Sequence, residues 1–210
     1  MMKSIFFGVV AISVAILSFY QETAQAQEQT GTAEGNYVWN AMDDECRTAL
    51  HRQINKEFDA SIVYLKYAAF FAQEKINLPG FEKFFFHAAG EEREHGIKLI
   101  EYALMRGHGP VDKASFKLNY NYQVPSKTDG ESALRAALQK EEEVTHSIRQ
   151  VIKACENGSN DYHLADYLTG EYLDEQHKGQ RELAEKIATL HKMKKSAPKL
   201  AEFLFDKNHM

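Results

Sequence analysis

Between residues 81 and 106 the apolar side chains Phe85, Ala88, Leu99 and Tyr102 return at steps of three and four, and Glu92 and His95 fall on the same side of the helix that this spacing predicts. No other feature constrains the chain as much. An unpaired carboxylate buried in such a stripe is costly, and a metal ion is one of the few partners that would satisfy it together with a neighbouring imidazole. Three residues apart on one face, Glu92 and His95 form the Glu-x-x-His element used by di-iron carboxylate bundles. Taken alone, the pair fits an exposed salt bridge equally well. The matter turns on whether other helices bring matching carboxylates.

Three further long periodic runs surround this one. Asp43 or Asp44 can cap a helix reaching to about Lys75, with Leu50, Ile54, Glu57, Ser61, Tyr64, Ala68 and Phe71 on its inner stripe. Glu57 stands there at an apolar position. The turn Asn77-Leu78-Pro79-Gly80 follows, and Pro79 opens the second helix, which ends at Gly107. After Gly130 a third helix carries Leu134, Ala137, Glu141, Val144, Ile148, Val151 and Cys155 inward, again with one Glu among apolar residues. A second Glu-x-x-His, Glu143 to His146, lies about 140–200° round the helix from Glu141 and reads as solvated. The fourth helix spans about 163–194; heptads counted back from Leu190, Ile187 and Leu183 put Gln180, Gln176, Leu173 and Thr169 inside. A short fifth helix, 200–206, is apolar at Leu200, Phe203, Leu204 and Phe205.

Periodicity lapses between residues 107 and 129, although 117–122 alternates like a strand. So long a connection in a compact domain implies travel, and here it can run the length of a bundle. The second and third helices are then parallel. The fold expected is an all-α four-helix bundle, with a long crossover between helices two and three and a short fifth helix.

With 210 residues there is length for one domain with a full core, and a formal charge of -5 argues against a nucleic-acid partner. The N-terminus is a separate object. Lys3, the apolar run 5–20 and Ala24-Gln25-Ala26 make a secretory signal peptide, 1–26, rather than a membrane anchor. A polar arm, 27–42, leads into the domain, 43–210. Asn157-Gly158-Ser159 is a glycosylation sequon of a kind that also arises by chance.

For Tyr64 and Gln176, hydrogen-bonded burial is a sufficient account of each singly. Jointly that account fails for the carboxylates. Glu57, Glu92 and Glu141 converging without a cation would need shared protons or a buried Lys or Arg, and the stripes offer none. Oxygen-rich ligands with one imidazole suit iron or manganese, and the lack of sulfur disfavours structural zinc.

The stretches Asn55-Lys56-Glu57-Phe58-Asp59-Ala60-Ser61-Ile62-Val63-Tyr64-Leu65, Glu91-Glu92-Arg93-Glu94-His95, Tyr172-Leu173-Asp174-Glu175-Gln176 and Leu200-Ala201-Glu202-Phe203-Leu204-Phe205-Asp206-Lys207 resemble ferritin, from about residue 43 onward. With the leader and arm, the chain is similar to ferroxidase-type subunits of secreted insect ferritins. The resemblance implies an iron-storage subunit that oxidises Fe(II) with O2 at a buried site holding two irons. Its metal ligands would be Glu57, Glu92, His95, Glu141 and Gln176, with Glu91 nearby and Tyr64 hydrogen-bonding behind them. It also implies a 24-subunit cage, a light-chain partner, no nucleic acid and no membrane anchor. Location would be the secretory pathway or outside the cell. A subunit that nucleates mineral without oxidising iron would be expected to lack one of these ligands, and a peroxide-reducing bundle would show an inward Glu-x-x-His on helix four, where Gln176 and Gly179 stand.

Three positions depart from the family pattern, one of them Asn208, where a His often stands in the fifth helix. Asp166 matches one acidic residue of the three-fold channel, but Thr169 takes the place of the second, and Ile97 stands where a mineral-nucleating acid is common beside Glu94. In a bundle with parallel helices two and three, Cys46 and Cys155 lie at the same end. An intrachain disulfide and a bridge to another subunit both remain open.

Overall fold

In the computed structural model, residues 41–109, 116–158, 160–198 and 200–210 are described. The expected signal peptide, nearly all of the expected arm and Ser159 of the sequon lie outside these residues. Helix α1 is Asp44–Phe71, α2 is Pro79–Met105, α3 is Gly130–Asn157, and α5 is Ala201–Asn208. Helix α4 occupies 162–196 and is built of an α-helical start, Tyr162–Tyr167, a wide π turn, Leu168–Leu173, and an α-helix, Asp174–Ser196. The described residues contain no strand. None of their helices is long and apolar enough to cross a membrane.

The helix starts follow local chemistry. The Asp43 side chain accepts from the Cys46 amide, and Asp129 forms a reciprocal capping box with Ser132. Helix α1 stops at Phe71, short of the expected Lys75. The reason is the reversal ahead of Pro79, which holds Leu78 out of the helical region while Asn77 sits at φ 49°, a left-handed conformation that asparagine tolerates.

Direction is set by two apolar clusters. One joins the C-terminal half of α1 to the N-terminal halves of α2 and α3 and the C-terminal half of α4, through residues such as Phe71, Phe81, Leu134 and Leu190. The other joins the opposite halves, through Leu50, Leu99, Ile148 and Leu168. Helices α2 and α3 therefore run parallel, and the connection between them crosses the bundle lengthwise. It climbs beside α1: the Lys117 amide donates to Asn55 Oδ1, the Asn119 amide to Asp59 Oδ1, and Lys66 Nζ to the carbonyls of Tyr120 and Tyr122. The strand-like alternation in 117–122 is thus not a strand: it includes a turn at Tyr120 and Asn121, and the segment's hydrogen bonds run to helix side chains rather than to another strand.

The heptad count on α4 holds back to Gln176 and then slips by one. Tyr172 and Leu168 are buried, whereas Thr169 is exposed and Leu173 is half-buried. The π turn adds one residue at this point, which rotates the inner face. Helix α5 docks through Ala201 and Phe205, with Phe205 against Phe81, while Leu200, Phe203 and Leu204 stay exposed. Asp206 Oδ1 accepts from the Phe81 amide and Glu202 Oε1 from the Gly130 amide, so α5 supplies carboxylates to the N-termini of both α2 and α3.

Cys46 and Cys155 are joined in a disulfide within the chain, tying the start of α1 to the end of α3. Replacing both by serine releases a cross-link of sequence separation 109. The expected loss is about 3–5 kcal/mol, read as a lower thermal midpoint, with hydrogen exchange rising first around residues 43–50 and 151–157.

Candidate metal centre

A polar layer separates the two apolar clusters, and its members come from all four long helices. Glu57 on α1 is completely buried; Glu92 and His95 on α2, Glu141 on α3 and Gln176 on α4 are buried as well. One ligand atom each from Glu57, Glu92 and His95 lies within 4.8 Å of the others. Glu141 is not part of that tight group but faces Glu92 across the same cavity.

Each carboxylate is held on one side and open on the other. Glu57 Oε1 accepts from Gln53 Nε2 at 2.8 Å, whereas its Oε2 has no partner. Glu92 Oε2 also lacks one. Its distance to His95 Nδ1 is 3.8 Å, too long for a hydrogen bond. The other nitrogen, His95 Nε2, lies 3.3 Å from Glu175 Oε2, which favours the proton there and leaves the Nδ1 lone pair directed to the carboxylates. Glu141 accepts from the Tyr64 hydroxyl through Oε1 and from Gln176 Nε2, at 2.8 Å, through Oε2. Gln176 is fixed in turn by Thr145 Oγ1, which donates to its Oε1 at 2.7 Å.

Burial pushes Glu57 well above the ordinary carboxylate range, and the neighbouring Glu92 pushes it further. Glu92 is raised for the same first reason, with Glu141 next. Tyr64 is raised by burial and then by Glu141. Without a cation the layer therefore retains protons. Two buried carboxylate oxygens without partners beside an imidazole lone pair are what a divalent cation would satisfy, and the donor set fits iron.

A cavity of ≈ 270 Å³ leads into this layer between α2 and α4. Glu91 lies on its lining, about half exposed, and pairs with His87 Nε2 at 3.3 Å. Asp166 is not part of the centre. It is exposed on the first turn of α4, about 15 Å along the helix from Gln176, and the neighbouring Thr169 hydroxyl is spent on the Ala165 carbonyl. Glu143 and His146 are exposed, as their angular position predicts, and Glu94 is exposed towards solvent. Periodicity did not single out Gln53, Thr145 or Glu175. The first two sit one helical turn from an inward Glu, which is a usable signal. Glu175 has none, because its approach to His95 depends on how α4 lies against α2.

The profile of the Ferritin family, described as a ferritin-like domain, matches residues 47–193. The ferritin heavy chain of Aedes aegypti is 82% identical over 210 residues, covering 100% of both chains. That of Papilio xuthus is 52% identical over 171 residues, covering 80% of this chain and 81% of its own. Among solved structures, the crystal structure of Trichoplusia ni secreted ferritin matches with a TM-score of 0.76 and 48% identity, over 80% of this chain and 90% of that one.

The raised pKa of Glu57 has a measurable consequence. Below the ordinary value of 4.5 both folded and unfolded chains hold the proton; as pH rises past it the unfolded chain releases the proton and the folded one keeps it, so stability falls. Glu57→Gln never has to ionise and still accepts from Gln53. In the presence of a chelator it is expected to be about 1–4 kcal/mol more stable than the parent at pH 7, with the difference closing on acidification. Thermal unfolding at several pH values measures this.

Proposed function

This chain belongs to the ferritin family, and we propose that its iron-oxidising chemistry takes place in the polar layer, with Glu57, Glu92, His95 and Glu141 as ligands to the substrate ions. It is an iron-storage subunit of the heavy-chain, ferroxidase type, oxidising Fe(II) to Fe(III) with O2 as acceptor. The observation that carries the site assignment is the pair of partnerless buried oxygens, Glu57 Oε2 and Glu92 Oε2, beside His95.

Two Fe(II) ions bind per subunit in this reading. Glu57, Glu92 and His95 take the first; Glu92, shared between the ions, and Glu141 take the second, with Gln176 and Glu91 close by. Loading displaces the protons that the buried carboxylates hold. Each Fe(II) gives one electron to the same O2, so oxygen takes two electrons together and is not released as superoxide. Tyr64 and Gln176 hold Glu141 by its two oxygens, and Glu175 holds His95 by Nε2, so the ligand geometry exists before iron arrives. Glu91, at the cavity mouth, leaves its exposed pairing with His87 to swing towards the second ion.

The ferric product mineralises inside a 24-subunit cage shared with a light-chain ferritin. Family membership supports assembly, as do apolar side chains that a single chain leaves exposed, among them Leu104, Met105 and Phe203. Asp166 marks the three-fold channel, where Thr169 weakens the usual acidic focusing. Cleavage after Ala26 would leave the arm, 27–42, and the domain, 43–210, in the secretory pathway. The Cys46–Cys155 disulfide suits that oxidising compartment, and likeness to a secreted ferritin supports it.

Stopped-flow oxidation of Fe(II) under O2 tests the assignment. The Glu57→Ala, His95→Ala double variant is expected to assemble, since it removes buried charge, and to lose the rapid phase. The slowing should exceed the about 10–100-fold that loss of an outer-shell partner typically causes. Rapid oxidation surviving in an assembled double variant would sink the assignment.

A further inference from the structure

A line of aromatic rings leaves the metal centre that iron ligation does not require. It begins at His95, whose ring lies 5.5 Å from that of Tyr172, and the Tyr172 hydroxyl donates to the His95 carbonyl at 2.8 Å. Tyr172 meets Tyr167 edge-on at 5.8 Å, and Tyr167 stacks on Tyr102 at 5.0 Å and 17°. Tyr102 ends the line against His163, with ring centroids 5.7 Å apart. The π turn helps to make the line possible, because at an unbroken phase of about 100° per residue Tyr167 would lie on the face opposite Gln176, and the extra residue of the wide turn rotates it towards Tyr102.

We propose that Tyr172, Tyr167 and Tyr102 form an electron relay that carries one-electron oxidising equivalents away from the metal centre to the Tyr102–His163 pair. The proposal rests on the site assignment above. Oxidising a phenol releases its proton, so the hole settles where a base receives that proton. Tyr172 donates only to a carbonyl, which is not a base in this range. Tyr102 is different. Its oxygen accepts from Arg106 Nη1 at 2.9 Å, so its own hydroxyl is placed to donate to His163 Nδ1 at 2.8 Å. The guanidinium charge beside it is offset by Asp161, which accepts from Arg106 at 3.0 and 2.7 Å.

Two-electron reduction of O2 by two Fe(II) leaves hydrogen peroxide. When peroxide meets a further Fe(II), one electron cleaves the O–O bond, giving Fe(III), hydroxide and an oxidant one electron short of water. The relay supplies that electron and solvent supplies the protons, so Fe(II), H2O2, one electron and two protons become Fe(III) and two H2O. Tyr102 becomes a neutral radical, its proton now on His163 as imidazolium. A dissolved one-electron reductant of the ascorbate class restores it. The function is to discharge an oxidant that would otherwise attack the ligands.

The test loads the assembled protein with Fe(II) without oxygen, adds hydrogen peroxide, freezes rapidly and records high-field EPR with ring-deuterated tyrosine as assignment. A neutral tyrosyl radical is expected, with the lowered g1 and exchangeable deuteron coupling of a radical bonded to an imidazolium. It should disappear in Tyr102→Phe and in Tyr167→Phe, which keep ring packing, while the Fe(II)–O2 oxidation rate stays at the parent level. A radical unchanged in both variants, or no radical in the parent, overturns the relay. Should a variant fail to assemble, the parent spectrum decides: a g1 without hydrogen bonding places the radical elsewhere. Rapid oxidation surviving in the Glu57→Ala, His95→Ala variant would instead remove the metal centre, and absorbance reads that separately.

Discussion

Three carboxylates meet in the middle of the bundle, and the rest of the structure makes their meeting tolerable. Glu57, Glu92 and Glu141 are each dehydrated and each repelled by its neighbours, which drives Glu57 and Glu92 to retain protons when no cation is present. Gln53, Tyr64 and Gln176 hold some of their oxygens, but Glu57 Oε2 and Glu92 Oε2 receive no donor from the surrounding side chains. A layer of this kind destabilises the apo fold. It persists because it is thin, with an apolar cluster on either side. Stability is concentrated at the two ends of the bundle and chemistry in the waist.

The ends are secured by different means. Near the start of α1 the chain closes with the Cys46–Cys155 disulfide and the Arg106–Asp161 ion pair. At the opposite end a short helix does the work: α5 adds Phe205 to the stacked rings of Phe81 and Phe71 and gives Asp206 and Glu202 to the amides that open α2 and α3. Between the two ends the crossover runs up α1, bound through Asn55, Asp59 and Lys66. None of these devices touches the ligands, yet each holds the alignment of helices on which a site drawn from four of them depends.

The π turn in α4 links packing to function. By widening one turn it changes which face of the helix meets α2, bringing Tyr167 against Tyr102 while Tyr172, under His95, and Gln176 stay in phase with the residues that follow. A straight helix would satisfy either the ligand end or the aromatic end. The cost of a wider turn is a poorer local hydrogen-bond geometry, and it is offset by the burial of Leu168 and Tyr172.

Much of this was legible without coordinates. An inward Glu in the middle of the first and third stripes, and Glu92 with His95 in the second, announce a polar layer because helical phase alone decides which residues face the core. The parallel course of α2 and α3 follows from the length of the connection. Phase is a local property, so the same reasoning failed where local phase changed: Leu173 and Thr169 were expected inside, and Tyr172 and Leu168 are there instead. It was also silent wherever a contact joins separate helices without leaving a periodic trace, as with Glu175 beside His95 and His163 beside Tyr102. The pairing of Cys46 with Cys155 stayed open until the bundle brought them together. By itself, then, the sequence determined the helices, their buried faces and the residues of the charged layer, since these depend on spacing along one chain direction. The tertiary structure alone decided which oxygens were left without partners, which nitrogen of His95 faced them and where the aromatic line ran, since these depend on distances between helices.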